Sequence, residues 1–284
     1  MRLFTWNLQR RRTIDPAKGS NAAERHAAAV RRDLLRALCR QSAFGFITEP
    51  GLDLRRAEKG GYVISALLPD GNFMGDERDD GQSDGHACKA MLFAKRRSFT
   101  LIETSAGSGA RLRQRFPAAR LFSNGSRSML AAALHATSGR GGLDNAETLI
   151  TELTAIVEDE KINGLIVGGD FNAHLTDEDD RSFFWMPSKP TNQGAGSRGV
   201  GIDGFYFFSC GTAASPMLFS AKAPQRYDDV DARYGFRVDA EAKGGKVSGF
   251  FHIVPGAGQR ARVETKLSDH APVIIDITTR FAGG

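Results

Sequence analysis

The sequence predicts a sheet-rich α/β sandwich built as one domain over residues 1–284. Three observations carry that reading. Short apolar runs of strand length outnumber amphipathic helical stretches. In each half of the chain a helix feeds a buried run that ends in an acidic residue. No internal repeat, low-complexity stretch or linker divides the 284 residues, a length that allows one large domain or two small ones.

The elements follow in order. Residues 2–8 (RLFTWNL) read as a strand. Asn21-x-x-Glu24 has capping-box spacing and opens a helix to about Gln41, with Val30, Leu34, Ala37 and Leu38 as its stripe. Residues 44–48 (FGFIT) are a short buried strand that stops at Glu49-Pro50-Gly51. Further strands are expected at 62–68, 89–94, 99–104 and 128–136. The stretches 69–87 and 105–127 are rich in Gly, Asp, Ser and Arg and read as long surface loops. Asp144-x-x-Glu147 caps a second helix to about Lys161, with Leu149, Leu153, Ile156 and Val157 on one face. A strand over 163–168 then leads into Gly169-Asp170-Phe171-Asn172, followed by a loop-rich stretch 173–200. Strands are expected at 202–209, 217–220, 247–253 and 272–278.

Apolar residues are 41% and charged residues 25% of the chain, which excludes a mostly disordered protein. No run approaches the ~18 apolar residues of a membrane span. The apolar start precedes Arg10-Arg11-Arg12, the reverse of a signal peptide. Cys39, Cys88 and Cys210 are widely spaced and form neither a disulfide framework nor a metal knuckle. The expectation is a cytoplasmic protein without a signal peptide, with delivery into another cell left open. The net charge of +5 hides an asymmetry: residues 1–142 carry 24 Lys/Arg against 13 Asp/Glu, and residues 143–284 carry 14 against 20. A basic first half fits a polyanionic partner such as nucleic acid or an anionic head group, and equally a solvated basic face.

The polar residues that interest chemistry lie at the ends of buried runs: Asn7, Glu49, His135, Asp170, Asn172, Asp203, Asp269 and His270. Strand ends in layered α/β folds gather on one rim, where distant parts of the chain converge. Carboxylates, histidines and amides meeting there suit a hard divalent cation with oxygen ligands. The same set supplies a general base and donors to developing negative charge. Arg127 reads equally as a phosphate contact or a strand-edge charge. The run Asp177–Asp180 reads as a solvated face, His174 as a non-ligand, and Phe183-Phe184-Trp185 as packing of a loop onto the core rather than a base-stacking platform.

TWNL at 5–8, ITEP at 47–50, LHA at 134–136, GDFN at 169–172, ID at 202–203 and SDHAPV at 268–273 resemble, in this order, the endonuclease/exonuclease/phosphatase superfamily, which includes DNase I. The match runs from Asn7 to about Ile277. Ser126-Arg127 and the stretch His135–Gly139 look most like the catalytic subunit of cytolethal distending toxins. The resemblance implies a four-layer DNase I-like sandwich, two packed mixed β-sheets flanked by helices. It implies a Mg²⁺-dependent phosphodiesterase acting on DNA, with Mn²⁺ or Ca²⁺ as alternative metals and a phosphoinositide or other phosphate monoester as the alternative substrate. Asn7 and Glu49, with Asp269 close by, are then the metal site, and Asp170 handles the attacking water. Asn172 binds a phosphate oxygen, Asp203 orients His270 toward the phosphate, and His135 contacts it from the other side. Three departures stand out. Thr48 replaces the usual Gln before the metal-binding Glu. Gly204 replaces an aromatic after Asp203, which predicts a looser Asp203–His270 pairing. Around Lys89–Phe93 there is no acidic partner for a proton relay through His135.

Overall fold

The computed structural model describes residues 1–8, 14–50, 71–75, 90–95, 100–101, 116, 118–124, 127–137, 141–176, 179–187, 191, 201–227, 234–238, 247–252, 265–268 and 270–282. The first half holds β1 (Arg2–Asn7), α1 (Ala22–Gln41), β2 (Phe44–Thr48), β3 (Gly71–Gly75), β4 (Ala90–Lys95), β5 (Thr100–Leu101), β6 (Ala119–Asn124) and β7 (Arg127–His135). The second holds α2 (Gly142–Asp159), β8 (Gly164–Asp170), β9 (Ser182–Trp185), β10 (Asp203–Ser209), β11 (Met217–Ala221), β12 (Gln225–Arg226), β13 (Tyr234–Val238), β14 (Val247–His252), β15 (Thr265–Ser268) and β16 (Val273–Phe281).

Two mixed sheets form the body. The first has the order β11-β16-β1-β2-β4-β3, with β12 also on β16, and the second the order β5-β6-β7-β8-β10-β9. A small antiparallel sheet, β13-β14-β15, stands beside them. Each large sheet has one parallel pair, β1 with β2 and β7 with β8. Parallel neighbours need a crossover, and α1 and α2 are those crossovers. The two helix-to-acid halves seen in the sequence are therefore two β-α-β units, one per sheet.

The core has three compartments. Phe4, Trp6 and Ile47 pack against Leu34, Leu35 and Leu38 of α1. Leu165 and Val167 pack against Leu149, Leu153 and Val157 of α2. Between the sheets lie Leu3, Phe44, Phe46, Met129, Ile166, Phe205 and Ile275. The layers thus run helix, sheet, sheet, helix, as expected. Both faces of the central strands are covered, so β2 and β8 read as continuous apolar runs rather than alternating ones. Phe44 meets Phe122 edge-on at 5.0 Å and Phe46 meets Phe205 edge-on at 6.0 Å, locking the sheets face to face.

The helix boundaries show where local signals hold. Asn21 Oδ1 accepts from Glu24 N at 2.9 Å, so α1 starts at the predicted cap. The Glu24 carboxylate also takes a hydrogen bond from the buried Arg31 at 2.9 Å. The second helix starts earlier than predicted, at Gly142 behind Gly141, with no side-chain cap, and Asp144 lies in its first turn. Asn145 rather than Asp144 does the anchoring: its Oδ1 accepts from Thr137 N at 2.9 Å, tying the helix start to the end of β7.

The expected loops need correction. Stretch 69–87 contains β3, which pairs with β4. Stretch 105–127 contains β6, which pairs along β7 from Ala119 to Asn124. Stretch 173–200 contains β9 on β10, with Phe183 and Trp185 packed on the inter-sheet core and Phe184 on the α2 side. Pairing partners far along the chain, not local composition, make these segments strands. The strand expected at 62–68 lies outside the described residues. Among the described residues no helix is long and apolar enough to cross a membrane.

Candidate active site

Register and side-chain parity build the site. In the parallel pairs, Asn7 lies beside Thr48 and His135 beside Asp170, so both units deliver their strand ends to one rim. Strand β10 runs antiparallel to β8, and Asp203, its first residue, pairs with Asp170. Strand β16 runs antiparallel to β1 with Val273 beside Thr5, which brings the preceding His270 alongside the end of β1. Side chains alternate between faces along a strand. Leu3, Ile166, Met129 and Phe205 face the inter-sheet space; Asn7, Asp170, His135 and Asp203 share their parity and face the same cleft.

There the side chains meet. Asn7 Nδ2 donates to Asp170 Oδ2 at 2.9 Å and to Glu49 Oε1 at 3.3 Å, joining the two sheets through one nitrogen. His135 Nε2 lies 3.6 Å from Glu49 Oε1 and 3.9 Å from Asp170 Oδ2. On the other side His270 Nε2 lies 3.8 Å from the same Asp170 oxygen. His270 Nδ1 and Asp203 Oδ2 are 2.9 Å apart. With Nδ1 carrying the proton toward Asp203, Nε2 is left to face the cleft. Asn172 N donates to Asp170 Oδ1 at 2.9 Å, and Asn172 Nδ2 donates to Ala136 O at 2.7 Å. That bond uses one of the two amide hydrogens and fixes the side chain.

The His270 backbone is pinned as firmly as its ring. Trp6 Nε1 donates to His270 O at 3.1 Å. His270 N donates to Ser268 Oγ at 3.1 Å, and Ser268 Oγ donates to Asn7 O at 2.8 Å. Trp6 and Ser268 were not among the residues singled out from sequence. Their signal was their place inside TWN and SDH, one residue before Asn7 and two before His270.

Two glycines let the strands close on this rim. A Cβ on Gly169 would fall on the carbonyl oxygen of Leu134 in β7. A Cβ on Gly204 would lie 2.6 Å from Trp185 O and 2.7 Å from Met186 Cγ. The looser Asp203–His270 pairing expected from Gly204 is not found: the missing side chain lets the end of β9 pack close, and the 2.9 Å contact is intact.

Burial sets the electrostatics. Asp203 is fully buried, and its carboxyl is pushed up to about 6, chiefly by desolvation. The nearby Asp170 pushes it further up, while His270 pulls it down. A carboxyl raised from 3.8 to about 6 binds its proton more tightly folded than unfolded. Its contribution to stability is therefore full below 3.8 and lost as pH rises through about 6. Asn cannot ionise, so the melting temperature of Asp203→Asn minus that of the parent should rise across this window. A flat difference in a pH series of thermal melts contradicts the assignment.

Glu49 and Asn172 both have left-handed backbone, with φ of 46° and 51°. Asn tolerates this conformation; Glu pays roughly 1–2 kcal/mol for it. Strained backbone of this kind clusters at functional sites. Glu49→Gly should raise the melting temperature by a few degrees while removing the carboxylate from the cleft. An unchanged or lower melting temperature would show that the Glu49 side chain is structural.

Asp170, Asp203 and His270 put one ligand atom each within 4.8 Å of one another, a group that could hold a metal ion. This differs from the expected set of Asn7, Glu49 and Asp269, and Asp269 lies outside the described residues. Asp203 is sealed from solvent and committed to His270, whereas Glu49 keeps 29% of its side chain exposed. Arg127 does not join the site. It sits at the other end of β7 from His135, eight residues or roughly 26 Å away at ~3.3 Å per residue. Its guanidinium lies 4.0 Å from the Phe281 ring centroid. Strand direction separates the two ends, so any phosphate that Arg127 contacts lies away from this rim. His174 is exposed with Nδ1 on Gly201 O at 2.9 Å. Asp179 Oδ1 accepts from Arg181 N and Ser182 N, each at 2.6 Å, and is a turn former.

No family model and no curated protein sequence matches the chain. Solved structures do. A Bacteroides thetaiotaomicron endonuclease/exonuclease/phosphatase family protein superposes with a TM-score of 0.55 at 13% identity, over 98% of this chain and 97% of that one. The fold is that of the endonuclease/exonuclease/phosphatase proteins. A mannosyl-6-phosphatase of B. thetaiotaomicron shares it, with a TM-score of 0.55, 13% identity and coverage of 98% and 99%. So does D. rerio TDP2, in a complex with single-strand DNA product, with a TM-score of 0.50, 11% identity and 98% coverage of both chains.

Proposed function

We propose that this rim is the active site of a metal-dependent phosphoesterase that hydrolyses DNA phosphodiesters. The observation that carries the reading is the single Asn7 nitrogen shared by Glu49 and Asp170, with Nε2 of both His135 and His270 within 3.9 Å of Asp170 Oδ2. Two carboxylates converging on one amide make an oxygen-rich donor set that fits a hard divalent cation. Glu49 would hold it with Asp269, and with Asn7 through Oδ1 rather than the Nδ2 that bridges the two carboxylates. When bound, Mg²⁺, or Mn²⁺ or Ca²⁺ in its place, neutralises charge on the phosphate oxygens.

The chain's own residues do the rest. Asp170, fixed by Asn7 and by Asn172 N, orients a water toward phosphorus. His270, held by Asp203 and by its pinned backbone, presents Nε2 to the phosphate and stabilises charge there. His135 does the same from the β7 side, beside Glu49. The second amide hydrogen of Asn172 serves a phosphate oxygen. Water adds to phosphorus and passes a proton to Asp170, the bond from phosphorus to the ester oxygen breaks, and that oxygen leaves with a proton from protonated His135 or His270.

DNA is the favoured substrate because the basic surplus in residues 1–142 suits a polyanion, whose phosphates dominate nonspecific affinity. A neighbour of the same fold carries single-strand DNA product. The mannosyl-6-phosphatase neighbour keeps a phosphate monoester, including a phosphoinositide, as the second reading. The resemblance to the toxin subunit rests partly on Ser126, Ser138 and Gly139, which lie outside the described residues. Incubation in Mg²⁺ with supercoiled plasmid, a short-chain phosphoinositide and mannose 6-phosphate separates the readings. Nicked circles without release of inorganic phosphate are expected. Phosphate release with intact plasmid would replace the DNA reading by the monoester one.

A further inference from the structure

Of residues 188–200 the structure describes Thr191, and it is fully buried. Its Oγ1 accepts from Ile202 N at 3.1 Å and from Asp203 N at 3.2 Å. Its carbonyl accepts from Ala271 N at 2.7 Å. One residue thus grips both partners of the Asp203–His270 contact, Asp203 through its hydroxyl and the neighbour of His270 through its backbone. A threonine hydroxyl has two lone pairs and one proton. With the lone pairs on the two N–H groups, the proton is left for an acceptor. Asp203 Oδ2 is on His270, Oδ1 is buried with no hydrogen-bond partner among the described residues, and the Thr191 hydroxyl lowers the Asp203 pKa as a donor to the carboxyl does.

We propose that Thr191 is a positioning residue for the Asp203–His270 pair, its hydroxyl fixing the Asp203 carboxylate so that His270 Nδ1 is held and Nε2 is aimed into the cleft. Valine in its place keeps the shape but offers no acceptor to the two N–H groups and no donor to the carboxylate. The pair then loses its fixed separation while the residues that would touch substrate are unchanged. The proposal rests on the phosphoesterase reading only for its kinetic consequence; the geometry at His270 is tested without any substrate.

The experiment compares the parent with Thr191→Val, Thr191→Ala and Thr191→Ser in protein labelled with ¹⁵N-histidine. The Nδ1–H proton of His270, assigned by its loss in Asp203→Asn, should shift upfield or broaden away in the Val and Ala variants and persist in the Ser variant. Plasmid nicking should follow the same order, with kcat lowered roughly ten- to a hundred-fold in Val and Ala and KM changed by less than about three-fold. In an Asp203→Asn background the Val substitution should cost almost nothing further. A resonance and kcat retained in Val or Ala beside a lowered melting temperature would reduce Thr191 to a structural residue. Loss of the resonance in Ser would overturn the role of the hydroxyl, and Ala and Ser decide the question if Val does not fold. If the parent cuts no phosphate ester, the functional reading fails while the resonance still decides the role of Thr191.

Discussion

Asp170→Asn is expected to lower turnover by roughly a thousand-fold or more while leaving the fold in place. Asp170 is where the two halves of the chain meet. Its Oδ2 takes Asn7 Nδ2 and lies between the Nε2 atoms of His135 and His270, and its Oδ1 takes Asn172 N. The amide is nearly the same size, so packing is preserved. It carries no charge, and one of its two oxygen acceptors becomes a donor. Either Asn7 or the Asn172 turn then faces a donor instead of an acceptor. Proton handling at the attacking water is lost with the charge. Single-turnover kinetics together with thermal melting check this. A variant within ten-fold of the parent would remove Asp170 from the chemistry.

Gly169→Val is expected to carry the largest stability cost of any single change near the site. The added Cβ meets the Leu134 carbonyl, which is backbone and cannot rotate away, so β7 and β8 must separate where they are paired. Overpacking of this kind costs about 3 kcal/mol. For a domain of this size that lowers the melting temperature by roughly 6–12 °C. The displacement falls between His135 and Asp170, so activity should fall in the surviving folded fraction as well. Thermal and urea unfolding measure the cost. A change below about 1 kcal/mol would mean that the ladder has room at this position.

The residues of this site were legible in the sequence because they sit where buried runs stop. Asn7, His135, Asp170 and Asp203 each end or begin a strand, Glu49 directly follows one, and the structure places all of them on one rim. Their common orientation was not legible. Both faces of β2, β8 and β10 are covered, so no alternation of apolar and polar residues marks which parity faces the cleft. Arg127 shows the same gap from the other side: its place in sequence near His135 says nothing of strand direction, which puts it at the far end. Strands β3, β6 and β9 were hidden because their pairing partners, not their composition, make them strands. Thr191 lay in a polar, Gly-rich stretch in which no local pattern distinguishes a buried threonine from an exposed one.

The most direct test of the account is supercoiled-plasmid nicking by the parent in Mg²⁺, by the parent in EDTA and by His270→Ala in Mg²⁺, run side by side. The account predicts nicking in the first reaction and at most background in the other two. Nicking that persists in EDTA, or in folded His270→Ala at the parent's rate, would contradict a metal-dependent site built on this rim.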